Sequence, residues 1–150
     1  MVHQACFSLI VLLLLTACAG RNTEEPLNSY APVNGDEGLQ RGEADIDSQE
    51  ILILESLPPQ FRLDMTGAVP TPCHQLRAVV HEPNDQNQIH VEIYSVVDPN
   101  TTCIQVLEPF EASIPLGSNL EAGSYNVFVN GELVGEINPV PSEVPVTPAS

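Results

Sequence analysis

Two imidazoles and a carboxylate, His81, His90 and Glu92, are the side chains whose types and spacing best suit chemistry. If a hairpin is centred between Asp85 and Gln86, His81 faces His90 across the strand pair, with Cβ atoms ~4.5–5.5 Å apart. Glu92 follows two positions along on the same outward face. Two histidines and a carboxylate could hold Zn²⁺ or Cu²⁺. A flat, exposed strand pair supplies no outer partners to orient such ligands, so a solvated face is the expectation and metal binding the alternative. No Gly-x-Ser-x-Gly, His-Glu-x-x-His, phosphate loop or dinucleotide glycine pattern occurs. The expectation is a protein that is not an enzyme and carries no cofactor. Cys73 and Cys103 lack the Cys-x-x-Cys setting that lowers a thiol pKa for redox work.

Where these groups reside depends on the start of the chain. Ala5 to Ala19 is a run of fifteen residues without charge or proline. A spanning helix needs roughly 20, so the run fits the apolar region of a signal peptide. Its Leu15-Thr16-Ala17-Cys18 resembles the lipobox of bacterial lipoproteins. That resemblance implies removal of residues 1–17, acylation of Cys18 (palmitate among its lipids) and attachment to the cell membrane or the outer membrane. Cys6 leaves with the signal and Cys18 takes the lipid, so Cys73 and Cys103 remain as an even pair in an oxidising compartment. A disulfide between them is expected. Closing a loop of that length contributes about 3–4 kcal/mol in the chain-entropy account.

Acidic residues number 20 and basic ones 4, a net charge of −16. Such a surface repels nucleic acid and anionic headgroups, so no nucleic-acid partner is expected. Residues 18–49 read as the acylated cysteine followed by an acidic flexible linker, rich in Asn and Gly and without a sustained apolar period. Residues 139–150, with four prolines, read as a flexible tail.

Between these lies the folded part, residues 50–138. Ile51 to Leu57 is a strand-length apolar run stopped by Pro58-Pro59, and Phe61, Leu63 and Met65 alternate with polar residues. Gly67 to Pro72 reads as turn. His74 to Glu82 and Gln88 to Val97 form the hairpin already described, pairing Val80 with Val91, Ala78 with Ile93, Val79 with Glu92 and Arg77 with Tyr94. Cys103 to Leu107 reads as a short strand, and Phe110, Ala112 and Ile114 alternate in another. Asn130-Gly131 suits a tight hairpin between Val127–Val129 and Glu132–Ile137. Leu133 and Val134 compete for the inward position.

About seven short strands with turn signals and no helix predict a single all-β, antiparallel β-sandwich. Leu120-Glu121-Ala122-Gly123-Ser124-Tyr125 resembles the tyrosine corner of immunoglobulin-like and fibronectin-type sandwiches, where the tyrosine bonds back to upstream backbone. Gly123, Tyr125, Asn130 and Gly131 are thus expected to determine the fold. Residues 50–138 also resemble a domain of unknown function that recurs in exported bacterial lipoproteins. Cys73, Cys103, Pro109-Phe110-Glu111, Ile114, Leu116, Gly123, Tyr125 and Val129-Asn130-Gly131 carry that likeness.

The leading expectation is a membrane-anchored, non-catalytic binding or scaffolding module of the cell envelope. Its recognition loops would be Asp85–Asn87, Asn100–Thr102 and Gly117–Asn119. An inhibitor of extracytoplasmic peptidases is the first alternative, with a peptidase as partner. An envelope protein binding metal through His81 and His90 is the second.

Overall fold

The computed structural model describes residues 27–56, 58–117 and 120–139. Residues 1–17, Cys18 and residues 140–150 lie outside them, and so do the expectations placed there. Eight strands are described: β1 (Gln40–Gly42), β2 (Asp45–Leu54), β3 (Gln60–Val69), β4 (Gln75–Val80), β5 (Gln88–Val97), β6 (Glu108–Pro115), β7 (Tyr125–Val129) and β8 (Glu132–Ile137). They form an all-β sandwich. One sheet runs β2-β3-β6; the other holds β1, β4, β5, β7 and β8 around a central β5.

The alternation in β3 explains the three-stranded layer. Phe61, Leu63, Met65 and Val69 are buried, while Arg62, Asp64 and Thr66 face outward. Ala112 and Ile114 of β6 extend that inner face. From the other sheet Ala78, Ile89, Val91, Ile93, Val127 and Val129 meet it in one core. β3 also runs further than its sequence suggests, because Gly67 belongs to the strand rather than to a turn. A Cβ there would lie 2.0 Å from the Asp45 carbonyl and 2.7 Å from Cζ of Phe110. Glycine is needed for this close approach, where the β2 ladder shifts register between Ile46 and Ser48.

The β4–β5 hairpin has the expected register, with Val80 opposite Val91, Ala78 opposite Ile93 and Arg77 opposite Tyr94. A one-residue slip would invert both faces, so the apolar alternation fixes it. The sheet is not purely antiparallel, however: β5 and β7 run parallel over Gln88–Val91 and Asn126–Val129. β4 occupies one edge of β5. Along the other edge β7 comes first and β1 follows at Ser95–Val97. Asn130 and Gly131 form a two-residue turn with φ 48° and 89°, the geometry of a type I′ hairpin. The ladder slips between Val127 and Phe128, which turns Val134 toward the core and leaves Leu133 exposed.

Two further expectations are corrected. Cys103 to Leu107 forms no strand, because its short apolar run has no ladder partner. The flexible linker assigned to residues 18–49 does not extend to Gln49, which lies within β2. From Asn28 onward a strap is bound to the sandwich, and β1 and the start of β2 follow it. Its lack of apolar period reflects a different means of attachment. The Asn28 amide donates to the Ala78 carbonyl at 3.0 Å, and the Ala78 N–H donates to the Tyr30 carbonyl at 2.8 Å, covering the outer edge of β4. The Tyr30 hydroxyl then reaches the Glu111 carbonyl on β6 at 3.1 Å, closing that side between the two sheets.

At one end of the sandwich the disulfide joins Cys73, in the β3–β4 connection, to Cys103, in the β5–β6 connection, with Cα atoms 6.1 Å apart. At the other end Tyr125 donates its hydroxyl to the Glu121 carbonyl at 3.2 Å, the expected tyrosine corner.

Candidate functional site

The outer face of the five-stranded sheet gathers the polar and aromatic groups that alternation turns away from the core. His81 follows β4; His90, Glu92 and Tyr94 come from β5, Arg41 from β1 and Phe128 from β7. Glu92 is the hub. One carboxylate oxygen accepts from Arg41 Nη2 at 3.0 Å, and the other lies 3.1 Å from His81 Nε2. The Arg41 hydrogen bond, then that of His81, holds the Glu92 carboxyl below its ordinary range. The Arg41 guanidinium also sits 3.7 Å above the centre of the Tyr94 ring, a cation–π contact.

His90 does not join this group. Its ring stacks on Phe128 with centroids 5.1 Å apart, and its Nε2 lies 3.4 Å from the Gln88 side-chain oxygen. His81, His90 and Glu92 therefore share a face without converging on one point. Among the described residues no three His, Cys, Asp or Glu side chains are placed to hold a metal ion. The metal-binding alternative is not supported by this geometry: Arg41 brings a positive charge to the carboxylate where a cation would have to sit, and Phe128 draws one imidazole away.

Beside this network Arg77, 7% exposed, clamps Asp36 of the strap. Nε donates to Oδ2 at 2.7 Å and Nη2 to Oδ1 at 2.9 Å, a fork on a carboxylate. This hydrogen bonding, with the Val33 N–H as a second donor, lowers the Asp36 pKa to about 2. On the opposite sheet Arg62 donates to the Ser113 hydroxyl at 2.7 Å, and Ser113 in turn donates to Asp64. These three groups brace β3 against β6.

Arg41 and Asp36 were missed in the sequence, and Arg77 and Tyr94, placed opposite one another there, were given no part in a site. A signal was present, since four basic residues among 20 acidic ones should each find an acceptor. Their partners lie 51 and 41 positions away and could not be named from spacing.

An open cleft of about 870 Å³ lies at the tyrosine-corner end, between the strap, the end of β4 and the end of β6. Ala78, Val80, Leu116 and Tyr125 give it an apolar floor, and His81, Glu82 and Glu121 stand at its rim. Asn87 and Gly117 bring two of the three expected recognition loops to this end. Ser118 and Asn119 lie outside the described residues. Asn100–Thr102 follows β5 at the disulfide end.

These features define a disulfide-stapled β-sandwich whose polar face is occupied by its own ion pairs. The chain belongs to the ORF11 beta-sandwich domain family, whose profile matches residues 63–138. The match begins inside β3, so the strap, β1 and β2 precede it. Among its relatives, the "Uncharacterized 10.2 kDa protein in HgiCIIM 5'region" of Herpetosiphon aurantiacus is 28% identical over 88 residues, covering 57% of this chain and 89% of the relative. The "Uncharacterized 10.2 kDa protein in HgiBIM 5'region" of the same organism is 28% identical over 78 residues, covering 50% of this chain and 90% of the relative. No solved structure matches the chain.

Proposed function

We propose that this protein is an exported, lipid-anchored, non-catalytic binding module of the cell envelope. The observation that carries the reading is the pairing of Cys73 with Cys103 inside a chain whose Cys18 ends an apolar leader. Such a bond persists where the compartment is oxidising. Three acyl chains on Cys18, at ~0.8 kcal/mol per buried methylene, hold a protein on a bilayer. The face richest in reactive side chains is filled by Arg41, Glu92 and His81 bonded to one another, which favours recognition over catalysis.

On this reading the sandwich sits close to its membrane. Asn28 is already hydrogen-bonded to the fold. Residues 19–27 therefore span at most about 30 Å at full extension. Palmitate labelling in cells, with intact-mass analysis, tests the anchor. A labelled species beginning at Cys18, and no label in Cys18→Ser, is expected. An unlabelled species that retains residues 1–17 would refute it.

A further inference from the structure

The strap's bonds to the backbone of β4 fall on one residue, Ala78. In an antiparallel ladder alternate residues bond to the neighbouring strand, so those between them point their N–H and C=O groups outward. Ala78 is outward by this rule, and Leu76 and Val80 share its parity. His81 continues the inward set, its N–H donating to the His90 carbonyl at 2.9 Å. The Leu76 carbonyl accepts from Arg77 Nη1 at 3.0 Å. Among the described residues neither outward group of Val80 has a partner.

Val80 lines the open cleft of about 870 Å³ at the tyrosine-corner end. β6, across the cleft, offers no comparable edge. Pro109 and Pro115 have no N–H, the Glu111 carbonyl is taken by the Tyr30 hydroxyl, and the Ser113 carbonyl by Arg62 Nη2. Below the free edge lies the apolar floor of Leu116 and Tyr125, and Glu82 and Glu121 stand at the rim. The three described arginines are committed to Glu92, Ser113 and Asp36. Neither rim carboxylate therefore has a cationic partner among the described residues.

Each feature selects part of an occupant. A donor and an acceptor side by side on a strand edge suit extended backbone, which supplies both in return. A residue opposite Val80 turns its side chain to the same face, toward the floor, and its neighbours turn outward toward the rim. Two unpaired carboxylates there favour Lys or Arg and oppose anionic headgroups. We propose that the cleft binds a short extended segment of a partner protein, in which an apolar residue opposite Val80 is flanked by basic ones. This deepens the binding-module reading and rests on it. The strap ends the free edge at Ala78, so the segment is short and not a full strand.

The test uses ¹⁵N-labelled residues 18–150 with Cys18→Ser, so that no acyl chain is attached. The probe is the blocked pentapeptide acetyl-Lys-Val-Lys-Val-Lys-amide. Saturable amide shifts are expected at Val80, Gly117 and Tyr125, with hydrogen exchange at the Val80 amide slowed about tenfold at saturation. Binding should weaken about tenfold when the valines of the peptide are N-methylated, and as much in the Glu82→Gln/Glu121→Gln variant or with Glu in place of Lys in the peptide. No saturation, shifts confined to other sites, equal binding by the variant or by the acidic peptide, or the same shifts with zwitterionic vesicles would overturn the proposal. So would a Val80 amide as protected as that of Ala78 before any peptide is added, since the protein's own chain would then fill the edge. Because the Cys18→Ser chain carries no lipid, failure here is separate from failure of the anchor, which palmitate labelling reads alone.

Discussion

The side chain of Asn130 hydrogen-bonds both backbone polar groups of Ile93. The Ile93 N–H donates to Oδ1 at 2.8 Å, and Nδ2 donates to the Ile93 carbonyl at 2.9 Å. The Asn130 N–H meanwhile donates to the Val91 carbonyl at 2.9 Å. On that edge of β5, β7 ends with Val129 opposite Val91, and β1 ends with Gly42 opposite Ser95. The amide of Asn130 fills the interval, standing in for a strand residue from the first position of a hairpin turn.

Asn130→Ala should destabilise the fold by about 2–4 kcal/mol, combining two unpaired backbone groups on a buried strand with a left-handed φ that alanine resists. Asn130→Gly keeps the turn geometry and should cost less, about 1–3 kcal/mol, through the lost amide alone. Urea unfolding of the two variants separates the contributions. Equal stability to wild type in both would show that the bridge between β7 and β1 is dispensable.

Gly67→Ala places a methyl group against the Asp45 carbonyl and the Phe110 ring. Overpacking of this kind costs about 1–3 kcal/mol, and a backbone neighbour that cannot rotate away puts this site at the upper end. Gly38→Ala, where an added Cβ meets nothing within 4 Å, is the matched control. Thermal melting should fall for the first and stay near wild type for the second.

Acid stability should reflect the Asp36–Arg77 clamp. The folded-state pKa of Asp36, about 2, lies below its ordinary value of 3.8. The unfolded chain therefore takes up the proton first as pH falls. The stabilisation is complete above pH 3.8 and is lost as pH drops toward 2. Glu92, also lowered, acts in the same direction. In urea titrations from pH 5 to pH 2, Asp36→Asn should be less stable at pH 5 and should lose part of the acid-side slope. An unchanged slope would exclude the clamp as its source.

Reduction of Cys73–Cys103, or the Cys73→Ser/Cys103→Ser double variant, should lower stability by about 3–4 kcal/mol, the chain-entropy value for the enclosed loop. Limited proteolysis should then cut within residues 98–107, the connection that loses its restraint. Resistance equal to wild type would mean that packing alone holds that connection.

What could be read in the sequence was whatever repeated with the period of a strand or carried a local turn signal. The β4–β5 register followed from Ala78 and Val80 facing Ile93 and Val91, and the turn from Asn130-Gly131. Tyr125 declared itself through its preceding Gly123. The strap was not legible, because Asn28, Tyr30 and Asp36 act through side-chain bonds to residues 50, 81 and 41 positions away. The same distance hid Arg41, and with it the reason that His81, His90 and Glu92 do not meet. Cys103 to Leu107 read as a strand because a short apolar run looks alike whether it is buried or displayed.

The strap has one more effect, on how copies of the molecule meet. Without Asn28 and Tyr30, the Ala78 N–H and C=O would face water along an open ladder, a template for pairing with any neighbouring chain. By laying its own amino-terminal segment there, the protein withdraws that template from its surroundings. At this point of its edge, β4 of one copy is closed to pairing with a strand of the next.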